Sequence, residues 1–170
     1  MDKASFVLAF DPSLNATGYC VLDVRGKKPK LAEVGHVKGR NASLANEPTS
    51  IKLALIAAKT KELVAKYQPL HKKVFLERGF TKFNNSTQAT FRARGALEAE
   101  LVGYEVVELP PTTVKKIISD YGLAHKKDVA ECVADYLNVP VETFETEDQS
   151  DATAVAVAGW LKFIKEDDSE

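Results

Sequence analysis

Four carboxylates in this chain stand where an apolar run ends or a helix begins. Oxygen donors of that kind are what a hard divalent cation takes. Asp11 closes the apolar run at residues 6–10 and is followed by Pro12-Ser13-Leu14-Asn15, then by the second apolar run Thr17-Gly18-Tyr19-Cys20-Val21-Leu22. Glu77 closes a shorter run, Lys73-Val74-Phe75-Leu76. Asp148 and Asp151 lie three residues apart at the start of a helical segment, and so on one helical face. Carboxylates without a neighbouring histidine or thiolate favour Mg2+, with Mn2+ able to substitute. Two such ions about 4 Å apart can hold the attacking and leaving oxygens of a phosphodiester. Clustered carboxylates repel one another until a cation is bound, which gives such a cluster its affinity. A plainer reading stays open for each acid: Asp11-Pro12 is a turn-forming pair, Glu77 a solvent-facing strand end, and Asp148 with Asp151 a capped helix start favoured by the macrodipole.

The elements that must position these acids follow from periodicity. Residues 6–10 and 17–22 read as two strands joined by a short turn, the first buried and central. Residues 31–37 form a third strand, giving an antiparallel meander. A polar stretch, 38–50, leads to a helix capped by Thr49 or Ser50, with Leu53, Ile56, Ala57, Thr60, Leu63, Val64 and Tyr67 on one face and Lys52, Lys59 and Lys66 on another. After the strand that ends in Glu77 comes a basic loop, Arg78-Gly79-Phe80-Thr81-Lys82-Phe83. A helix from Asn85 or Ser86 to about Val102 follows, its face lined by Ala89, Ala93, Ala96 and Leu97. Residues 104–109 are a fifth strand, Pro110-Pro111 opens a helix, and 126–137 is another. The last helix starts near Asp148 or Ser150 and carries a stripe of Ala152, Val155, Ala156, Gly159, Trp160 and Phe163. The order βββαβαβααα predicts one mixed α/β domain, a sheet with helices on its faces.

Composition narrows the class of protein. A chain of 170 residues, 45% hydrophobic and 28% charged, supports one well-buried core. No apolar run reaches the roughly 20 residues of a membrane span, and no leader segment is evident, so a cytoplasmic protein is expected. Cys20 and Cys132 are expected as free core thiols, and the scattered His36, His71 and His125 lack the spacing of a zinc site. The net charge of −1 hides an uneven distribution: residues 59–94 hold nine basic residues against two acidic ones, whereas 142–151 carry five acids and no base. A basic middle beside an acidic site is compatible with binding a polyanion.

The motifs together resemble a RuvC-type Holliday-junction resolvase, a member of the RNase H-like nuclease superfamily. The matching residues are Asp11-Pro12 with Thr17-Gly18-Tyr19, Leu76-Glu77 followed by Phe80, and Asp148-Gln149-Ser150-Asp151 before Ala152-Thr153-Ala154-Val155-Ala156. The resemblance spans about residues 5–163 and implies an RNase H-like mixed five-stranded sheet flanked by helices. It places that domain at 1–165, followed by an acidic tail at 166–170. It further implies a homodimeric, Mg2+-dependent endodeoxyribonuclease that cuts two opposed strands of a four-way DNA junction. Asp11, Glu77, Asp148 and Asp151 match the family's catalytic, metal-binding acids, and Phe80 matches the aromatic inserted at the junction centre. Lys115 and Lys126 fall near positions that contact phosphate, and Arg78 and Lys82 extend the DNA-binding loop. A lysine neutralises phosphate without reading bases, and an aromatic on a loop can stack on bases at a branch point. Two positions depart from the family pattern: Ser13 stands where glycine is usual, and Arg78 where glutamine is typical. The first puts the turn beside the metals in question, the second strict sequence preference.

Two other readings compete. An actin-like phosphotransferase also places a phosphate loop with Thr-Gly after a strand-end Asp, but needs two lobes and a second glycine-rich loop. A protein that binds junctions without cutting them would gain nothing from four acids that repel DNA.

Overall fold

The computed structural model describes residues 5–79 and 84–165. Three strands, β1 (Phe6–Asp11), β2 (Gly18–Asp23) and β3 (Lys30–His36), form the antiparallel meander. Strands β4 (Lys73–Glu77) and β5 (Glu105–Leu109) add in parallel on the other side of β1, giving the sheet order β3-β2-β1-β4-β5. The first strand is therefore central and buried, as its unbroken apolar run requires.

Strand alternation sends successive side chains to opposite faces, and each face has its own helices. Leu8, Phe10, Tyr19, Val21, Val74 and Leu76 pack with α1 (Thr49–Tyr67) and α2 (Asn84–Glu98). Val7, Ala9, Cys20, Leu22, Phe75 and Leu109 pack with α3 (Pro111–Ser119), α4 (Lys126–Leu137) and α5 (Glu147–Phe163). The buried Cys20 thiol is pushed up to about 12 by burial, and both cysteines are free. No helix among the described residues is long and apolar enough to cross a membrane.

Four local expectations are corrected. Thr49 and Ser50 do not cap α1: Pro48 precedes it, with no side-chain cap, and its carbonyl accepts the Ile51 and Lys52 amides. Lys52, expected on a face apart from the apolar one, is buried at 8% exposure, and its ammonium donates to Asn15 Oδ1 at 2.6 Å in the turn after β1. Helix α2 stops at Glu98, short of Val102, as the chain turns through Gly103 at φ 87 into β5. Finally, α5 carries no narrow stripe: residues 152–160 are all buried, since α5 lies between the sheet and the α3–α4 pair.

Candidate active site

Residue parity brings two acids together. Val7 and Ala9 of β1 face α5, so Asp11 does too; Phe75 of β4 faces α5, and so does Glu77. Phe10 pairs with Leu76 across the parallel ladder, so the two strands release their carboxylates side by side at the same sheet edge. Asp148 and Asp151 come from the first turns of α5, which crosses this face. Its start is preceded by Thr146, so Asp148 lies inside the helix and is not its cap.

Glycine at position 18 is required by this crossing. Gly18 is the cross-strand partner of Asp11, and a Cβ built on it would lie 2.5 Å from the backbone carbonyl carbon of Asp148. No side chain fits beneath the helix there. The turn between β1 and β2 is closed by Thr17, whose hydroxyl donates to Ser13 O at 2.6 Å and accepts from Ser13 N at 3.1 Å. Ser13 itself is not among the residues with positive φ, so the backbone of this turn does not call for glycine there.

The electrostatics are those of a cluster of like charges in a half-buried place. Burial raises the Asp11 carboxyl well above the ordinary carboxylate range, and the charges of Glu77, Asp151 and Asp148 raise it further. Glu77 is raised by burial and by Asp151, against the hydrogen bond from Asp11 and the charges of Lys126 and Lys115. Asp148 is raised by burial and by Asp151. The side chains of Asp11 and Glu77 are hydrogen-bonded to each other. Lys126 Nζ donates to Asp151 Oδ2 at 2.8 Å and lies 3.8 Å from Glu147. Burial works to lower the Lys126 pKa, but Asp151, Asp11 and Glu147 outweigh it and hold the ammonium charged. Lys126 therefore offsets part of the negative charge that a cation would neutralise. Among the described residues, no three of these side chains already stand as a closed metal-ligand set. The donor chemistry nonetheless fits a hard divalent cation: all four groups are carboxylates.

A cleft of about 200 Å³ opens on this cluster, lined by Glu77, Lys115, Lys126 and Asp151 among others. A wider cleft of about 480 Å³, between β3, α1 and residues 143–149, contains none of the four acids. Chemistry, not size, locates the site. Lys115 and Lys126, from α3 and α4, both reach its rim. Arg78 leads away instead: its amide donates to Leu109 O at 2.9 Å, and its side chain, 65% exposed, turns toward Glu108 on β5 at 3.7 Å. Phe80 and Lys82 lie outside the described residues. Sequence reasoning missed the ion pair of Lys126 with Asp151, the anchoring of Glu108 by Arg94 and the placement of Gln149. Only Gly18 had a signal, its place in the Thr-Gly pair.

A mixed sheet in this order, with acids at the ends of two parallel central strands and on the crossing helix, defines the RNase H-like nuclease class. The family model for crossover junction endodeoxyribonuclease RuvC matches residues 7–159, and the chain belongs to that family. A crossover junction endodeoxyribonuclease RuvC from Alkaliphilus metalliredigens is 31% identical over 154 residues, covering 89% of this chain and 90% of the relative. One from Synechococcus sp. is 27% identical over 158 residues, covering 92% and 98%. The Thermus thermophilus RuvC structure in complex with a Holliday junction substrate superposes with a TM-score of 0.79 at 26% identity, covering 91% of this chain and 92% of that one.

Proposed function

We propose that this chain is a structure-selective endonuclease that resolves four-way DNA junctions by metal-dependent hydrolysis of phosphodiesters, acting as a homodimer with one site per protomer. The observation that carries the reading is the convergence of Asp11, Glu77, Asp148 and Asp151 on one sheet edge, with Lys115 and Lys126 at the rim, in a member of the RuvC family. Asp11 and Glu77 would hold the cation from the sheet, and Asp148 and Asp151 from the helix. Bound Mg2+, or Mn2+ in its place, supplies charge neutralisation and activation of water at the scissile phosphate.

The chain's own groups do the remainder. Lys126, which donates to Asp151 at the rim of the cleft, would contact a phosphate oxygen of bound DNA. Lys115 adds a second phosphate contact from α3. The part-buried position of Asp11 keeps water from competing for its oxygens, which strengthens their hold on a cation. Phe80 and Lys82, which follow Glu77 in sequence, are assigned to the junction centre and its backbone, and Arg78 to backbone phosphates.

The test is Mg2+-dependent cleavage of four-way, three-way and linear DNA side by side, with Asp11→Asn as the inactive control. Paired cuts in the four-way junction, lost in the variant, are expected. Equal cutting of linear duplex, or wild-type rates from Asp11→Asn, would overturn the assignment.

A further inference from the structure

One row of residues runs across the sheet beneath the start of α5. Asp11 pairs with Gly18, and Gly18 pairs with His36 at the end of β3. Asp148 rests on Gly18, and the next residue, Gln149, reaches His36. Gln149 is 3% exposed and its side chain is fully engaged: Oε1 accepts the Glu145 amide at 3.0 Å, and Nε2 lies 3.0 Å from His36 Nδ1. The carbonyl end of the amide is taken by Glu145, so the NH2 end faces the imidazole. Nδ1 must then be the bare acceptor. The ring proton sits on Nε2, directed at Ala42 O 3.4 Å away.

Lys126 ties the first turns of α5 to α4 through Asp151, and the Gln149 tether reaches the sheet instead. Helix α5 begins without a side-chain cap, and the hydroxyl of Thr146, in the cap position, is buried without a partner. The bond from Ser150 Oγ to Glu147 O stays within the turn and ties it to nothing outside. Among the described residues, Gln149 joins the segment before the helix, the helix itself and the end of β3. It is one residue, or about 100° of helical rotation, from Asp148, so fixing its azimuth fixes that of the carboxylate.

We propose that His36 and Gln149 are a positioning pair that orients the first turn of α5 and thereby sets Asp148 toward Asp11 for cation binding. The proposal rests on the metal-site reading above. Groups that orient ligands from behind typically change metal affinity by 10–100-fold when removed.

The experiment measures Mn2+ binding to the DNA-free protein by the electron paramagnetic resonance signal of free Mn2+. It is paired with the Mn2+ concentration giving half-maximal junction cleavage. His36→Leu and Gln149→Leu are expected to weaken Mn2+ binding about ten-fold. Half-maximal cleavage should shift in parallel, and metal-free junction affinity should be unchanged. His36→Asn, whose side-chain oxygen can accept from Gln149 Nε2 in place of Nδ1, should restore most of the affinity. Gln149→Met, of similar volume, carries the same expectation where a leucine variant fails to fold. Mn2+ affinity within two-fold of wild type in the folded variants, or no recovery in His36→Asn, would overturn the pairing. Asp11→Asn separates the two layers: unchanged Mn2+ binding there would overturn the metal site itself, whatever the pair does.

Discussion

Gly18→Ala is the most direct test of how the fold builds this site. The added methyl would lie 2.5 Å from the Asp148 carbonyl carbon, where ordinary contact begins near 3.4 Å. Neither partner is free to give way. Gly18 is paired to Asp11 on one side and to His36 on the other, and the obstacle is helix backbone, not a flexible side chain. The first turn of α5 must therefore retreat by about 1 Å, and a misplacement of that size costs roughly 100-fold in rate. The strain should also cost about 1–3 kcal/mol of stability. At about 2–4 °C per kcal/mol for a domain of this size, that is a fall in Tm of roughly 2–12 °C. Single-turnover cleavage of a four-way junction, gel-shift affinity and thermal melting give the three readouts, and junction affinity should hold. Gly95→Ala is the internal control: a Cβ there meets nothing within 4 Å, and alanine in a helix interior should stabilise by about 0.5–1 kcal/mol. A Gly18→Ala protein that cuts within two-fold of wild type and melts at the same temperature would refute the close approach of α5 and the argument built on it.

Other perturbations probe the cluster and its surroundings. Asp11→Asn should abolish cleavage while leaving junction binding intact or tighter, since it removes negative charge near phosphate. It should also flatten the pH dependence of metal-free stability. The folded-state pKa of Asp11 is raised, so its contribution is fully present below the unfolded value near 4 and is lost as pH rises through the folded value. Melting in EDTA from pH 4 to pH 8 should show the Asn variant gaining on wild type as pH increases; parallel profiles would remove the electrostatic account. Gly159→Ala should destabilise by about 1–3 kcal/mol, because its Cβ would lie 2.5 Å from the ring of Phe75 on β4, and an unchanged Tm would contradict that packing. Arg78→Gln should widen the spread of cleavage rates among junctions of different core sequence, since the guanidinium adds phosphate affinity indifferent to bases. An equal spread in both proteins would remove Arg78 from the specificity argument.

Much of the molecule is local enough to be legible from residues in order. The apolar runs that stop at Asp11 and Glu77 mark both acids as strand ends, and alternation along each strand puts Asp11 on the face of Ala9 and Glu77 on that of Phe75. The three–four spacing located α1, and the helix-start composition located α5 to within one to three residues. Family membership was legible from short motifs in sequence order. What the residues in order could not determine is what long-range pairing creates. Only the order β2-β1-β4 makes Asp11 and Glu77 neighbours. Only the folding of α4 against α5 sets Lys126 on Asp151, 25 positions away. Only the crossing of α5 over β2 presses Asp148 onto Gly18 and joins Gln149 to His36 across 113 positions. Helix α5 shows the same limit, since burial on all sides comes from two packing layers and not from its own periodicity. Local propensity states where each carboxylate leaves its strand or helix, and the distances between them come from contacts that no window of sequence contains.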